Sequence, residues 1–200
     1  YSWSGVMGTT PAWVWDPMTE ETCQVADARA SALVSDFVLD HARVTARMRV
    51  GTADDDDFVG LVFGAQDDAH FYLASWKQTA QAFCDQTVVP AGITIKRIAA
   101  DAPEDITCAD LHNPHDTPRS TLLVAASEVH DVGWKSGVEY LWEIVHLGEL
   151  MTLRVRAAAS QAVIAETTFV DGAYPRGAVG VFASSQAEAC FTDVRTTCVD

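Results

Sequence analysis

The sequence predicts an all-β protein, an antiparallel β-sandwich, and three observations carry that prediction. Apolar and polar residues alternate with period two in run after run, which is the pattern of a half-buried strand. The runs are short and recur every 8–12 residues or so, about ten or eleven in all, as sandwiches and barrels require. Amphipathic helix signal is nearly absent; Thr19 to Leu33 is the one candidate, and it is weak.

Val44, Ala46, Met48 and Val50 alternate with Thr45, Arg47 and Arg49, giving one apolar and one polar strand face. Residues 58–66 and 70–77 are apolar runs separated by Asp67-Asp68-Ala69, which reads as a tight hairpin. Ile93, Ile95 and Ile98 mark a further strand, and Leu122 to Ala126 a short one. Val138, Tyr140, Trp142 and Ile144 face one way, while Glu139, Glu143 and Val145 face the other. Leu147-Gly148-Glu149 turns that strand into Met151, Leu153 and Val155. Residues 163–169, 178–183 and 189–194 complete the set. Phe58, Val62, Tyr72 and Trp76 are expected to interdigitate with Trp142, Val155 and Phe182 between two sheets about 10 Å apart.

The 200 residues, 48% apolar and 20% charged, suit a single domain over residues 1–200 with one core. Net charge is −15, from 28 acidic and 13 basic residues, which argues against nucleic acid or an anionic membrane as partner. It fits calcium, a cationic partner or simple solubility. No apolar run reaches the ~18 residues that a membrane helix needs. A first residue Tyr1 rather than Met reads as a processed product or a piece of a larger multi-domain chain, with no signal peptide in view.

The acidic run Asp54-Asp55-Asp56-Asp57 leads straight into the strand beginning at Phe58. Adjacent carboxylates repel, and either water or a cation must relieve them. A hard cation such as calcium takes six to eight oxygen ligands, so a carboxylate cluster where a loop meets a sheet is a candidate site. The EF-hand pattern is absent. Hairpin geometry pairs residue 57 near residue 78 and puts Asp67 and Asp68 roughly 30 Å from the run, at ~3.3 Å per residue. Gln78, Gln81 and Asp85 come close and are expected as oxygen donors.

None of the five cysteines forms a CxxC pair, so a zinc ribbon or thioredoxin-type site has no support. Four can pair. Cys84 and Cys108 flank a polar connection, and Cys23 and Cys198 lie near the two ends. Cys190, inside the strand-like run 188–194, is expected as the buried free thiol. In the chain-entropy picture, closures between 84 and 108 and between 23 and 198 contribute roughly 3.5 and roughly 5 kcal/mol. Bridges imply an oxidising compartment and hence an extracellular location, the alternative being five reduced structural thiols.

Several motifs now join. Asp55-Asp56-Asp57-Phe58-Val59-Gly60-Leu61-Val62-Phe63-Gly64 is followed by Phe71-Tyr72 and Trp76-Lys77-Gln78. Thr117-Pro118, His130-Asp131-Val132-Gly133-Trp134-Lys135 and Gly177-Ala178-Val179-Gly180-Val181-Phe182 come next in order, with Ser184-Ser185-Gln186. Phe191-Thr192-Asp193-Val194 and Cys198-Val199-Asp200 close the series. Collinear over nearly the whole chain, these segments resemble the C-terminal domain of thrombospondins. The resemblance implies a concanavalin-like jelly roll of two curved antiparallel sheets, serving as an extracellular calcium-binding module in cell and matrix adhesion. It also implies a Cys23–Cys198 bridge, and calcium at an acidic run that maps onto Asp55, Asp56 and Asp57, with Asp85 on a matching aspartate. The family's upstream EGF-like modules and Asp-rich repeats are not in these residues, and Arg176-Gly177 is followed by Ala178, so the Arg-Gly-Asp tripeptide is missing. Cys84 and Cys108 have no family counterpart. The ligand is expected to be an extracellular protein or glycan.

Related jelly rolls include lectins and glycosidases. Glycosidases need two carboxylates across a cleft, about 5–5.5 Å apart for retention or ~6.5–9.5 Å for inversion. Glu139 and Glu143 share a strand face but stand ~13 Å apart, so no catalytic residue is assigned. Gly-x-Ser-x-Gly and His-Glu-x-x-His are also missing. His112 and His115, beside Asp110 and Asp116, are a metal or sugar candidate, but a pair of loop histidines is more often simply exposed. Trp134 is expected in the core.

Overall fold

The computed structural model describes residues 1–200 apart from Ser4, Gly5, Met7, Asp54 and Asp200. Its strands in chain order are β1 (Trp13–Asp16), β2 (Glu21–Gln24), β3 (Ser31–Val34), β4 (Ala42–Val50), β5 (Phe58–Ala65) and β6 (His70–Lys77). A small pair follows, β7 (Gln81–Ala82) and β8 (Val88–Val89), then β9 (Gly92–Ala99), a short helix α1 (Cys108–His112) and β10 (Ser120–Val124). After α2 (Ala126–Val129) come β11 (Glu139–Leu147), β12 (Leu150–Ala157), β13 (Val163–Val170), β14 (Ala178–Ser184) and β15 (Ala189–Cys198).

The strands form two large antiparallel sheets. One has seven strands in the order β1-β2-β15-β4-β11-β12-β13, the other six in the order β10-β9-β6-β5-β14-β3. The period-two pattern in β4, β11 and β12 places one face of the seven-stranded sheet inward and leaves the other face wet. Met48, Trp142, Ile144, Leu153 and Val155 meet Leu61, Phe63, Tyr72, Trp76, Ile95 and Val181 in the core between the sheets.

The central strands of the six-stranded sheet are buried on both faces. The outward side of this sheet carries Phe58, Val62, Phe71, Leu73, Ile98 and Phe182, covered by Trp3, Val6, Ile106 and Leu111. A segment near the N-terminus and the connection between β9 and β10 therefore form a third layer, and β5, β6 and β14 are buried at nearly every position. That corrects the expected single core: Tyr72, Trp76, Trp142 and Val155 interdigitate as predicted, but Phe58, Val62 and Phe182 project to the opposite side. Strict alternation along β5 forces the split, since residues 58 and 62 cannot share a face with 59, 61 and 63.

Two further corrections concern secondary structure and cysteines. Residues 19–33 hold no helix; they form a turn, β2, a connection and the start of β3. Cys84 is bonded to Cys108. Cys23, however, is bonded to Cys190, and Cys198 is the free, exposed thiol. Register decides this. Cys190 lies directly opposite Cys23 in the β15–β2 ladder, with Cα atoms 4.0 Å apart, whereas Cys198 pairs with Ala42 at the far end of β15.

Candidate functional site

The acidic run enters β5 at the edge of the outer core. Asp54 lies outside the described residues, but its three neighbours are fixed by close contacts. Asp57 is buried, and its Oδ1 accepts hydrogen bonds from Lys77 Nζ at 2.8 Å and Gln81 Nε2 at 2.9 Å. Its backbone N–H donates to Gln186 Oε1 at 2.9 Å, and its carbonyl accepts from Trp134 Nε1 at 3.1 Å. Asp56 accepts from Gln78 N–H and from Lys77 Nζ at its carbonyl, and its Oδ1 lies 3.5 Å from the same ammonium. Asp55 Oδ2 accepts from Ala187 N–H at 2.9 Å.

Lys77 is the residue that sequence reasoning passed over. The hairpin register pairs it with Phe58, one residue beyond the acidic run, on the outward face of β6. Its side chain is 1% exposed and its ammonium sits 4.9 Å from the Phe58 ring centroid and 5.6 Å from that of Phe83. An internal ammonium thus supplies much of the counter-charge that the run requires. A lysine directly following Trp76 in an apolar strand, and facing the row of Phe71 and Leu73, was the available signal. Gln81 arrives where hairpin geometry placed it, yet it donates its amide N–H and so is not the expected oxygen donor.

Burial pushes the Asp57 carboxyl above the ordinary carboxylate range, with Lys77 pulling the other way. Asp55 is also pushed up, by partial burial first and then by the charges of Asp57 and Asp27, with backbone hydrogen bonds opposing. Among the described residues, Asp55 has no lysine or arginine partner. Two more buried polar groups lie beneath the covering layer. Lys96, on β9, donates to the Asn113 carbonyl at 3.0 Å, and burial lowers its pKa to about 8. His112 stacks on Phe58 at 3.9 Å and bonds Ser184 Oγ through Nε2; burial, with Lys96 and Lys77 nearby, holds it well below the ordinary histidine pKa. His112 is therefore a neutral core residue, which corrects the expectation of an exposed loop histidine, whereas His115 is exposed as expected.

Asp85 is exposed, with φ of 50° in a tight turn, next to the Cys84–Cys108 bridge. That turn, α1 and Ser184-Ser185 line a cleft of about 660 Å³. The remaining acidic neighbour is exposed Asp27, whose Oδ1 accepts from Ser185 Oγ at 3.1 Å. Hard carboxylate oxygens suit calcium, so Asp55 and Asp56 fit such an ion in kind. Asp57 fits less well, because one oxygen already serves Lys77 and Gln81. Among the described residues, no three of these aspartates bring carboxylate oxygens within 4.8 Å of one another. Glu21, Cys23 and Cys190 do gather that closely, but both sulfurs belong to a disulfide and offer no thiolate.

The wet face of the seven-stranded sheet is laced with ion pairs. Glu139 bonds Arg47 at 2.7 Å, while Glu143 lies 3.2 Å from Arg154 and 3.7 Å from Arg43. Both glutamates serve this lattice. Trp134 is 1% exposed, as expected of a core residue, and its indole N–H pins the acidic loop from beneath.

A family profile described as Thrombospondin C-terminal region matches residues 8–200. Thrombospondin-3b of Danio rerio is 28% identical over 197 residues, 95% of this chain and 21% of that protein. The cartilage oligomeric matrix protein of Rattus norvegicus is 28% identical over 196 residues, 95% of this chain and 26% of that protein. The chain thus spans about a quarter or less of these relatives. Among solved structures, a carbohydrate binding module, CBM66, from Bacillus subtilis superposes with a TM-score of 0.58 at 10% identity, covering 97% of this chain and 96% of that one. At that identity the likeness speaks to fold alone.

Proposed function

Because the chain belongs to the Thrombospondin C-terminal region family, we propose that residues 1–200 work as one non-catalytic binding domain of a larger extracellular protein, acting in adhesion or surface attachment and stabilised by calcium at the acidic loop. The family and the two disulfide bridges make the domain extracellular. Among the described residues no helix is long and apolar enough to cross a membrane.

One observation carries the calcium part. Asp55 is a half-buried carboxylate with two acidic neighbours and no cation of its own among the described residues. Asp55 and Asp56 would hold the ion, with Asp85 as an outlying donor, while Asp57 stays with Lys77. Such an ion supplies charge neutralisation and rigidity to the loop rather than chemistry. The non-catalytic reading rests on family membership and on the engagement of Glu139 and Glu143 in surface ion pairs.

Calcium at a hundred times its dissociation constant adds ~2.7 kcal/mol if only the folded form binds. For a domain of this size that raises Tm by roughly 5–10 °C. Scanning calorimetry with calcium and with chelator should show that gap, and Asp55→Ala should close most of it. Identical melting curves in the two buffers would remove calcium from the account. A lectin is kept as second reading for one observation, the half-exposed Trp15 on an edge strand.

A further inference from the structure

Near the middle of β15 the ladder to β4 slips between Thr192 and Arg195, and two clefts meet at the bulge. One, of about 310 Å³, is walled by Trp15, Glu20, Thr22, Phe191 and the bulge itself. The other, of about 470 Å³, opens against Glu21, Arg49 and Glu139. Glu20, Thr192 and Asp193 border both, but register sets Trp15, Thr22 and Phe191 on the core-facing side of the sheet and Glu21, Arg49 and Glu139 on the wet side, so the clefts lie on opposite faces and only the first is a groove beneath Trp15.

Trp15 is 56% exposed, although large aromatics are costly to leave in water. The strand that carries it does not depend on it. Trp13, two residues earlier, packs on Phe191 and donates its indole N–H to Ser31 Oγ at 3.1 Å, which fastens β1 to the body of the fold. Trp15 shares a sheet face with Thr22 and Phe191, so its ring stands over the groove floor. On the rim, Glu20 and Asp193 have φ of 54° and 49°, left-handed conformations that non-glycine residues rarely hold. Strained backbone and bulges gather where a surface is shaped for a ligand. Asp193 is fixed between Arg47 at 3.0 Å and Arg195 at 2.9 Å, whereas the Glu20 carboxylate has no salt bridge among the described residues.

We propose that the cleft of about 310 Å³ beneath Trp15 is a carbohydrate-binding site for a neutral pyranose. A flat aromatic plane accepts the C–H face of the ring, and the Glu20 carboxylate, the Thr22 hydroxyl and the Arg195 guanidinium, which line the same cleft, meet the hydroxyls around it. Acidic sugars are disfavoured by the unpaired Glu20 and by the −15 charge of the chain. The inference rests on the reading of the domain as a binding module but not on calcium, because none of Asp55, Asp56, Asp57 and Asp85 lines either cleft.

The test is titration calorimetry of the full 200-residue chain with four neutral probes: cellotetraose, chitotetraose, mannotetraose and β-1,4-galactotetraose. At least one should bind with a dissociation constant in the millimolar range or below, unchanged in chelator. Trp15→Ala should weaken that binding at least about tenfold and Glu20→Gln about fivefold, while Trp15→Tyr, which keeps an aromatic plane, should stay within about threefold. Tm of each variant, read alongside, checks that the fold is intact. Three results would overturn the proposal: no saturable binding of any probe, undiminished binding by folded Trp15→Ala, or binding that vanishes in chelator. Only the last would implicate the calcium loop, so failure here is separable from failure of the calcium reading.

Discussion

Removing the carboxylate of Asp57 should destabilise the domain by about 3 kcal/mol, because it strands a buried ammonium. Lys77 is 1% exposed, and its 2.8 Å contact with Asp57 Oδ1 is its shortest polar contact. In Asp57→Ala it keeps the Asp56 carbonyl at 3.1 Å, the Asp56 carboxylate at 3.5 Å and two aromatic faces, which offset only part of the loss. Lys77→Met, which leaves the Asp57 carboxylate with neutral partners only, Gln81 and Ser185, should cost a similar ~3 kcal/mol. If the two groups neutralise each other, the double variant costs about 3–4 rather than about 6 kcal/mol, a coupling of roughly 2–3. Urea unfolding in chelator measures all four corners; with m near 2 kcal/mol/M each single variant should lower the midpoint by about 1.5 M. Additive costs, or a loss under about 1 kcal/mol in Asp57→Ala, would refute the claim that Lys77 is the counter-ion of the loop.

The cysteine pattern makes a sharp contrast: Cys198→Ser should leave the melting temperature unchanged, whereas Cys190→Ser should cost up to about 5 kcal/mol by loop-closure entropy. Non-reducing peptide mapping should recover a Cys23–Cys190 peptide, and a Cys23–Cys198 peptide would reverse the assignment. Lys96 has a folded pKa of about 8 against an ordinary 10.5, so the unfolded chain binds its proton more tightly. The resulting penalty is full below pH 8, about 3 kcal/mol at pH 7, and fades as pH rises towards 10.5. Between pH 7 and 9.5 the parent protein should gain about 2 kcal/mol relative to Lys96→Met, and parallel pH profiles would exclude this. A Cβ on Gly133 would lie 1.7 Å from the Gln78 carbonyl, so Gly133→Ala should cost about 2 kcal/mol or more in urea unfolding by prising the 132–134 segment off the acidic loop.

The architecture was legible because period-two alternation survives wherever one strand face is wet. Residues 44–50, 138–145 and 151–156 announce themselves in this way. β5 and β14 carry no such contrast, since both their faces are buried, and so the second core and its third layer went unseen. β1, β2 and β3, four residues each, are too short for periodicity to rise above noise, which let a helix be imagined across residues 19–33. At the acidic loop, hairpin counting placed Gln78 and Gln81 correctly. Lys77 was missed because a charged residue at a strand end is usually solvated, and only the covering layer shows that this one is not. The cysteine partner depended on ladder register, which position relative to the chain ends cannot reveal.

Central strands enclosed on both sides have a bearing on how the sequence is free to drift. Along β4, β11 and β12 every second residue faces water, and exchange there should be cheap, within about 0.5 kcal/mol away from the ion pairs. Along β5, β6 and β14 no alternate position offers that freedom; truncation on either side opens a void costing roughly 2–5 kcal/mol for a large aliphatic residue. Divergent homologues should therefore vary like a comb along the first set of strands and hold nearly uniform along the second.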